Sequence, residues 1–73
     1  MKKAIIKTTR NGQYRVNIVC TKNGEKLFTS EMHPSIQRCE TNIMAAYSNS
    51  ELESLPVHYP SGKVKFLKHK TKA

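Results

Sequence analysis

Two Asn-Gly pairs, Asn11-Gly12 and Asn23-Gly24, constrain this chain most strongly, because each lies between segments that contain β-branched and aromatic residues. Asn-Gly in such a position is the strongest short-range signal of a β-hairpin. Segments 3–9, 14–21 and 26–31 are therefore predicted to be three strands joined by two tight turns. Such strands form an antiparallel meander.

The alternation of residue types predicts a face for each strand residue. The first strand has Ala4 and Ile6 on one face and Lys3, Ile5 and Lys7 on the other. The second strand alternates in the same way: one face holds Tyr14, Val16, Ile18 and Cys20, and the other holds Arg15, Asn17, Val19 and Thr21. A period of two with β-branched residues indicates half-buried strands.

A helix is predicted after Pro34, where the period of the apolar residues changes to three and four. The apolar stripe consists of Ile36, Cys39, Ile43, Ala46 and Tyr47. Pro34 suits a first helical turn, and either His33 or Ser35 lies near the N-cap position. The polar sequence Ser-Asn-Ser-Glu at 48–51 is predicted to end the helix.

The chain is predicted to be one small domain over residues 1–73. Its parts are a ββ(β)α unit at 5–47, a connection at 48–62, a C-terminal strand at 63–69 and a basic tail at 70–73. The predicted fold class is α+β: a three- to four-stranded antiparallel sheet with one helix packed on one face, in the order β-β-β-α-β, forming a homodimer. The predicted core consists of Tyr14, Val16, Ile18, Cys20, Phe28, Ile36, Cys39, Ile43 and Tyr47. Phe66 is also assigned to the core; the alternative is that Phe66 and Tyr59, near the C-terminal lysines, stack on bases.

The formal net charge of +8 is unevenly distributed along the 73 residues. Segments 1–15 and 62–73 each contain five basic residues and no acid, whereas all five acids lie between Glu25 and Glu53. Such asymmetry suggests a polyanionic partner. We expect nucleic acid, bound without sequence specificity; the alternative is a protein-interaction module or inhibitor that docks on an acidic surface. The candidate binding residues are Lys2, Lys3, Lys7, Arg10, Arg15, Lys63, Lys65, Lys68, Lys70 and Lys72.

Enzymatic activity is not expected from this sequence. Cys20, Cys39 and the three histidines lack the spacing of a metal site, and no cofactor is predicted. Cys39 falls on the apolar helix stripe, where a thiol is usually inert. The sequence has neither an apolar signal-peptide region nor a membrane-length apolar segment. We therefore expect a soluble, cytoplasmic protein with two reduced thiols.

The order of motifs resembles the YegP-like family of small bacterial proteins, as a single repeat over about residues 5–47. The matching positions are Gly12, Tyr14, Arg15, Val16, Asn23, Gly24, Leu27, Ser30, Glu31, Glu40, Asn42 and Ile43. The chain departs from the family at Met32 and His33, where a Gly-Tyr pair is common, and at Asn42, which replaces a glycine. The resemblance implies a ββα unit that pairs with a second unit, hence the homodimer. It implies no catalytic residue.

Overall fold

The computed structural model describes residues 1–69, so the predicted basic tail at 70–73, with Lys70 and Lys72, lies outside the described residues. Five strands and two helices follow one another along the chain. They are β1 (Lys2–Thr8), β2 (Tyr14–Cys20), β3 (Lys26–Thr29), α1 (Ile36–Ala46), α2 (Asn49–Leu52), β4 (Pro56–His58) and β5 (Val64–Phe66).

The strands form one mixed sheet in the order β3-β2-β1-β4-β5. The α+β class and the β1-β2-β3 meander are confirmed, but the expectation of a purely antiparallel sheet with at most four strands is wrong. The two helices return the chain from β3 to the free edge of β1, where β4 pairs in parallel. A parallel neighbour requires such a long crossover connection. The segment at 48–62, predicted to be a connection, contains both α2 and β4.

Two glycines with positive φ allow the tight turns that the Asn-Gly pairs predict. Gly12 has φ +73° and Gly24 has φ +72°, whereas no residue other than glycine has a positive φ within residues 1–69. The backbone N–H of Gly12 donates to the Thr9 carbonyl, and that of Gly24 donates to the Cys20 carbonyl. The left-handed conformation at a single glycine is typical of hairpin loops longer than two residues. The hairpins are confirmed, and their loops are of this longer kind.

The hydrophobic core lies between the helices and one face of the sheet. It consists of Ala4, Ile6, Val16, Ile18, Cys39, Ile43, Leu52, Leu55, Val57 and Leu67, with Tyr14, Ile36 and Tyr47 packed against it. Cys20 is only partly buried.

Phe28 and Phe66 were predicted to be in the core, and both predictions are wrong, because their side chains are 54% and 56% exposed. Phe28 lies on the edge strand β3, whose residues are all exposed. Phe66 pairs with Pro56, whereas its neighbour Lys65 pairs with the buried Val57. Alternation therefore directs Phe66 away from the helices.

Side-chain caps fix the start of both helices. Ser35 is the N-cap of α1, and its Oγ accepts from the Arg38 N–H at 3.2 Å. Ser48 caps α2 in a capping box, in which the Glu51 carboxylate accepts from the Ser48 N–H at 3.0 Å. The polar segment that was predicted to end one helix is therefore also the start of a second.

Candidate nucleic-acid interface

Alternate residues of the strands lie on the face of the sheet opposite the core, called the open face below. Within residues 1–69, the core cluster joins both helices to the other face only. Strand register assigns the following residues to the open face: Lys3, Ile5, Lys7, Arg15, Asn17, Val19, Lys26, Thr29, Pro56, His58, Val64 and Phe66.

The basic residues of the open face are concentrated on its central strands. Lys7 lies directly opposite Arg15 across the β1-β2 pair, and Lys3 lies opposite Val19. Like charges placed directly opposite each other destabilise a sheet. None of the five strands contains Asp or Glu, so no carboxylate within the sheet offsets this repulsion. The central strands therefore present concentrated positive charge.

Two polar atoms at the centre of this face have no hydrogen-bond partner within residues 1–69. Arg15 Nε and Asn17 Oδ1 are both buried, and the Asn17 side chain is only 4% exposed. A buried polar group without a partner costs free energy and is rare in folded proteins. The polar centre of the open face is thus not arranged for greatest stability.

The far end of the open face is apolar and exposed. Val64 is 49% exposed and Phe66 is 56% exposed, and they pair with His58 and Pro56 across the β4-β5 hairpin. His58 also pairs with Ile5 of β1. The face therefore changes from basic on β1 and β2 to apolar and aromatic on β5.

The predicted binding residues do not all lie on this face. Lys3, Lys7 and Arg15 come together there, while Arg10 and Lys63 occupy the turns before β2 and β5. The other described candidates are on the side of the sheet that the helices cover, called the covered face below. They are Lys2, Lys65 and Lys68.

Lys2 and Lys65 lie against aromatic rings on the covered side. The Nζ of Lys2 is 5.1 Å from the centroid of the Tyr47 ring, and the Nζ of Lys65 is 5.7 Å from that of Tyr59. Both distances suit a cation–π contact. Lys68 lines a surface cavity beside α1 together with Glu40.

Nine residues of the open face were not among the predicted binding residues, and four of these nine carry an amide, an ammonium group or an aromatic ring: Asn17, Lys26, His58 and Phe66. Asn17 lies two residues after Arg15 in the second strand, so period-two alternation already placed both residues on the same face. Lys26 was predicted to lie on the third strand, but no face was predicted for the residues of that strand. His58 was not predictable in this position, because it depends on the parallel pairing of β4 with β1.

On the covered face, Tyr59 ties the end of β4 to α1. Its hydroxyl donates to the Glu40 carboxylate. Burial and this hydrogen bond raise the pKa of Tyr59 well above its ordinary value. The link orients the β4-β5 hairpin against the helix and so positions the apolar end of the open face.

The two thiols are free and differ in their surroundings. Burial raises the pKa of Cys39, which lies in the core. Backbone hydrogen bonds from Lys22 and Asn23 lower the pKa of Cys20, at the end of β2. A buried thiol with a raised pKa is a poor nucleophile.

Comparisons of the chain with protein-family models, curated proteins and solved structures find no match. The resemblance to the YegP-like family therefore stays a prediction. Within residues 1–69, no group of three His, Cys, Asp or Glu side chains is placed to hold a metal ion. No helix in the same range is long and apolar enough to cross a membrane.

Proposed function

We propose that this protein is a non-enzymatic binding module whose open face engages nucleic acid through the phosphate backbone. The observation that supports this most is the placement of Lys7 directly opposite Arg15 on a face that neither helix covers. A polyanion on this face would relieve the repulsion between the two side chains. Binding would thus offset the free-energy cost of holding the two positive charges opposite each other.

Binding of this kind depends on charge rather than on base sequence. Lysine and arginine side chains release the counterions condensed on phosphates, so affinity falls as salt rises. Phosphate contacts position a protein on nucleic acid and carry no direct sequence information. Arg15 adds a planar group that matches two phosphate oxygens, whereas Lys3 and Lys7 act as point charges.

A salt series measured by fluorescence anisotropy tests this proposal. One variant, with Lys3, Lys7 and Arg15 all changed to Gln, removes three charges from the open face. A control, with Lys22, Arg38 and Lys68 changed to Gln, removes three charges from exposed positions off that face. If each open-face charge meets one phosphate, the log–log salt slope falls by about 2–3 in the first variant. The control should keep most of its slope.

Two outcomes would contradict the proposal. Equal loss in both triple variants would mean that binding follows net charge and not the open face. Absence of binding to every oligonucleotide at low salt would leave an acidic protein surface as the partner, since the same positive face is complementary to it. Circular dichroism of each variant establishes that the fold is intact.

We also propose that two copies associate through the β3 edge. Leu27 and Phe28 are each 54% exposed on this strand, and an edge strand has unpaired backbone groups that another strand can pair with. A small domain of this size also gains stability from association. Light scattering coupled to size exclusion measures the mass. A dimer that Leu27→Lys converts to a monomer is expected, and a monomer at all concentrations would contradict it.

A further inference from the structure

The width of the open face favours single-stranded over double-stranded nucleic acid as the ligand. Resting on the function proposed above, we infer that the ligand is a single strand, with phosphates on Lys3, Lys7 and Arg15 and a base stacked on Phe66. The inference follows from the width of the face, the charge of the helices and the exposure of one aromatic ring.

The open face is too wide to enter a duplex groove. Five strands span four inter-strand spacings of about 4.8 Å, or about 19 Å in all. The major groove of B-form DNA is about 12 Å wide and admits one helix or a two-stranded ribbon. A duplex would therefore meet this sheet only through its outermost phosphates. A single strand has no such restriction and can lie flat across the sheet.

The helices offer no alternative element for a groove. Within α1, the single basic residue Arg38 is offset by Glu40, and α2 contains Glu51 without a basic residue. A helix that enters the major groove needs basic or polar side chains that reach phosphates and base edges. Apart from Arg38, the Lys and Arg residues of the described chain lie on strands and in connecting segments.

Phe66 provides an exposed aromatic ring on which an unpaired base of a single strand can stack, whereas the paired bases of a duplex cannot. Its ring is 56% exposed on β5, two strands away from β1. That separation is about 10 Å, from the inter-strand spacing of about 4.8 Å. Lys3 and Lys7 on β1 lie about 13 Å apart at about 3.3 Å per residue. A strand crossing these positions places phosphates on β1 while an unpaired base reaches Phe66. Bases that are paired in a duplex present no free face to such a ring.

The test compares Phe66→Ala with Phe66→Tyr, a matched control that keeps an aromatic ring at the same exposed position. Anisotropy titrations use a labelled oligo-dT of about 12 nucleotides and a duplex of the same length at one salt concentration. The wild-type protein should bind the single strand several-fold more tightly than the duplex. Phe66→Ala should weaken single-strand binding roughly 5- to 150-fold and leave duplex binding unchanged. Phe66→Tyr should keep the wild-type affinity for both ligands.

Light scattering at the titration concentrations ensures that proteins of the same oligomeric state are compared. Equal affinity for the two ligands, or equal effects of the two Phe variants, would overturn the single-strand inference. The face itself would still stand as the binding surface if the open-face triple variant lost binding while its charge-matched control did not. Loss of that contrast would instead overturn the proposed function.

Discussion

The two faces of the sheet are built from the same strands, residue by residue in alternation, and they are opposite in character. On β1, Ala4 and Ile6 are buried beneath the helices, while Lys3 and Lys7 point to the open side. The covered face is apolar and closely packed. The open face holds opposed positive charges and polar atoms that lack hydrogen-bond partners within residues 1–69. Burial on the covered face therefore provides most of the stability, so the residues of the open face can serve binding.

The largest expected contrast between the faces is that of Ile6 and its neighbour Ile5. Ile6 is 1% exposed in the core, whereas Ile5 is half-buried on the open face. Ile6→Ala should lower the free energy of unfolding by about 2–5 kcal/mol, through lost burial and the cavity left behind. Ile5→Ala should cost distinctly less. Urea denaturation followed by circular dichroism measures both; equal losses would mean that the two faces are packed alike.

The core was largely predictable from the sequence, because neither the period of two in strands nor the spacing of three and four in a helix requires knowledge of partners. Val16, Ile18, Cys39 and Ile43 were assigned to the core on their spacing, and all four are buried. Leu52, Leu55 and Val57 were missed, since they follow a polar segment that looked like a connection. The Ser-x-x-Glu spacing of Ser48 and Glu51 is the signal that could have revealed α2.

The next largest effect is expected where the covered face is joined to the β4-β5 hairpin. Tyr59→Phe removes the hydroxyl that donates to Glu40. Hydrogen bonds to charged groups contribute about 1.5–3 kcal/mol, and partial exposure should place this one near or below the lower end.

The pH dependence of stability gives a second readout at Tyr59. Its pKa is raised in the folded state, so its contribution is complete below the ordinary tyrosine pKa and is lost as pH rises above it. Thermal unfolding across alkaline pH should show this loss in the wild type and a smaller one in Tyr59→Phe. Tyr47→Phe is the matched control and should retain the wild-type slope.

A smaller effect is expected at the capping box of α2. Ser48→Ala should cost about 1 kcal/mol, since the Ser48 side chain accepts from the Glu51 N–H. Hydrogen bonds from Ser48 lower the pKa of Glu51. Their stabilisation is therefore present above the ordinary glutamate pKa and is lost as pH falls through the lowered pKa. NMR titration should show the Glu51 pKa rising in Ser48→Ala. An unchanged pKa would mean that the box does not persist in solution.

The open face was predictable in its charges but not in its boundaries. Lys3, Lys7 and Arg15 were candidates from composition and alternation, yet sequence could not tell that β4 pairs in parallel with β1 and adds His58. Alternation puts Lys65 and Phe66 on opposite faces, but the sequence could not tell which of the two faces the helices cover, because the facing of a three-residue strand depends on tertiary pairing. Long alternating strands determine their own faces, whereas short edge strands acquire theirs from neighbours.

The smallest expected change in stability tests the comparison most directly, because it should have the opposite sign from the change in binding. Lys7→Glu places a carboxylate directly opposite Arg15. Replacing a like-charge pair with an opposite-charge pair should stabilise the sheet by about 0.2–1 kcal/mol. The same change removes one phosphate contact and repels a second, so the log–log salt slope for oligonucleotide binding should fall by about 1–2. Lys7→Gln, which removes the charge without reversing it, should lie between wild type and Lys7→Glu in both measurements. A variant that lost stability and affinity together would mean that Lys7 supports the fold. The assignment of stability to the covered face and of binding to the open face would then be wrong.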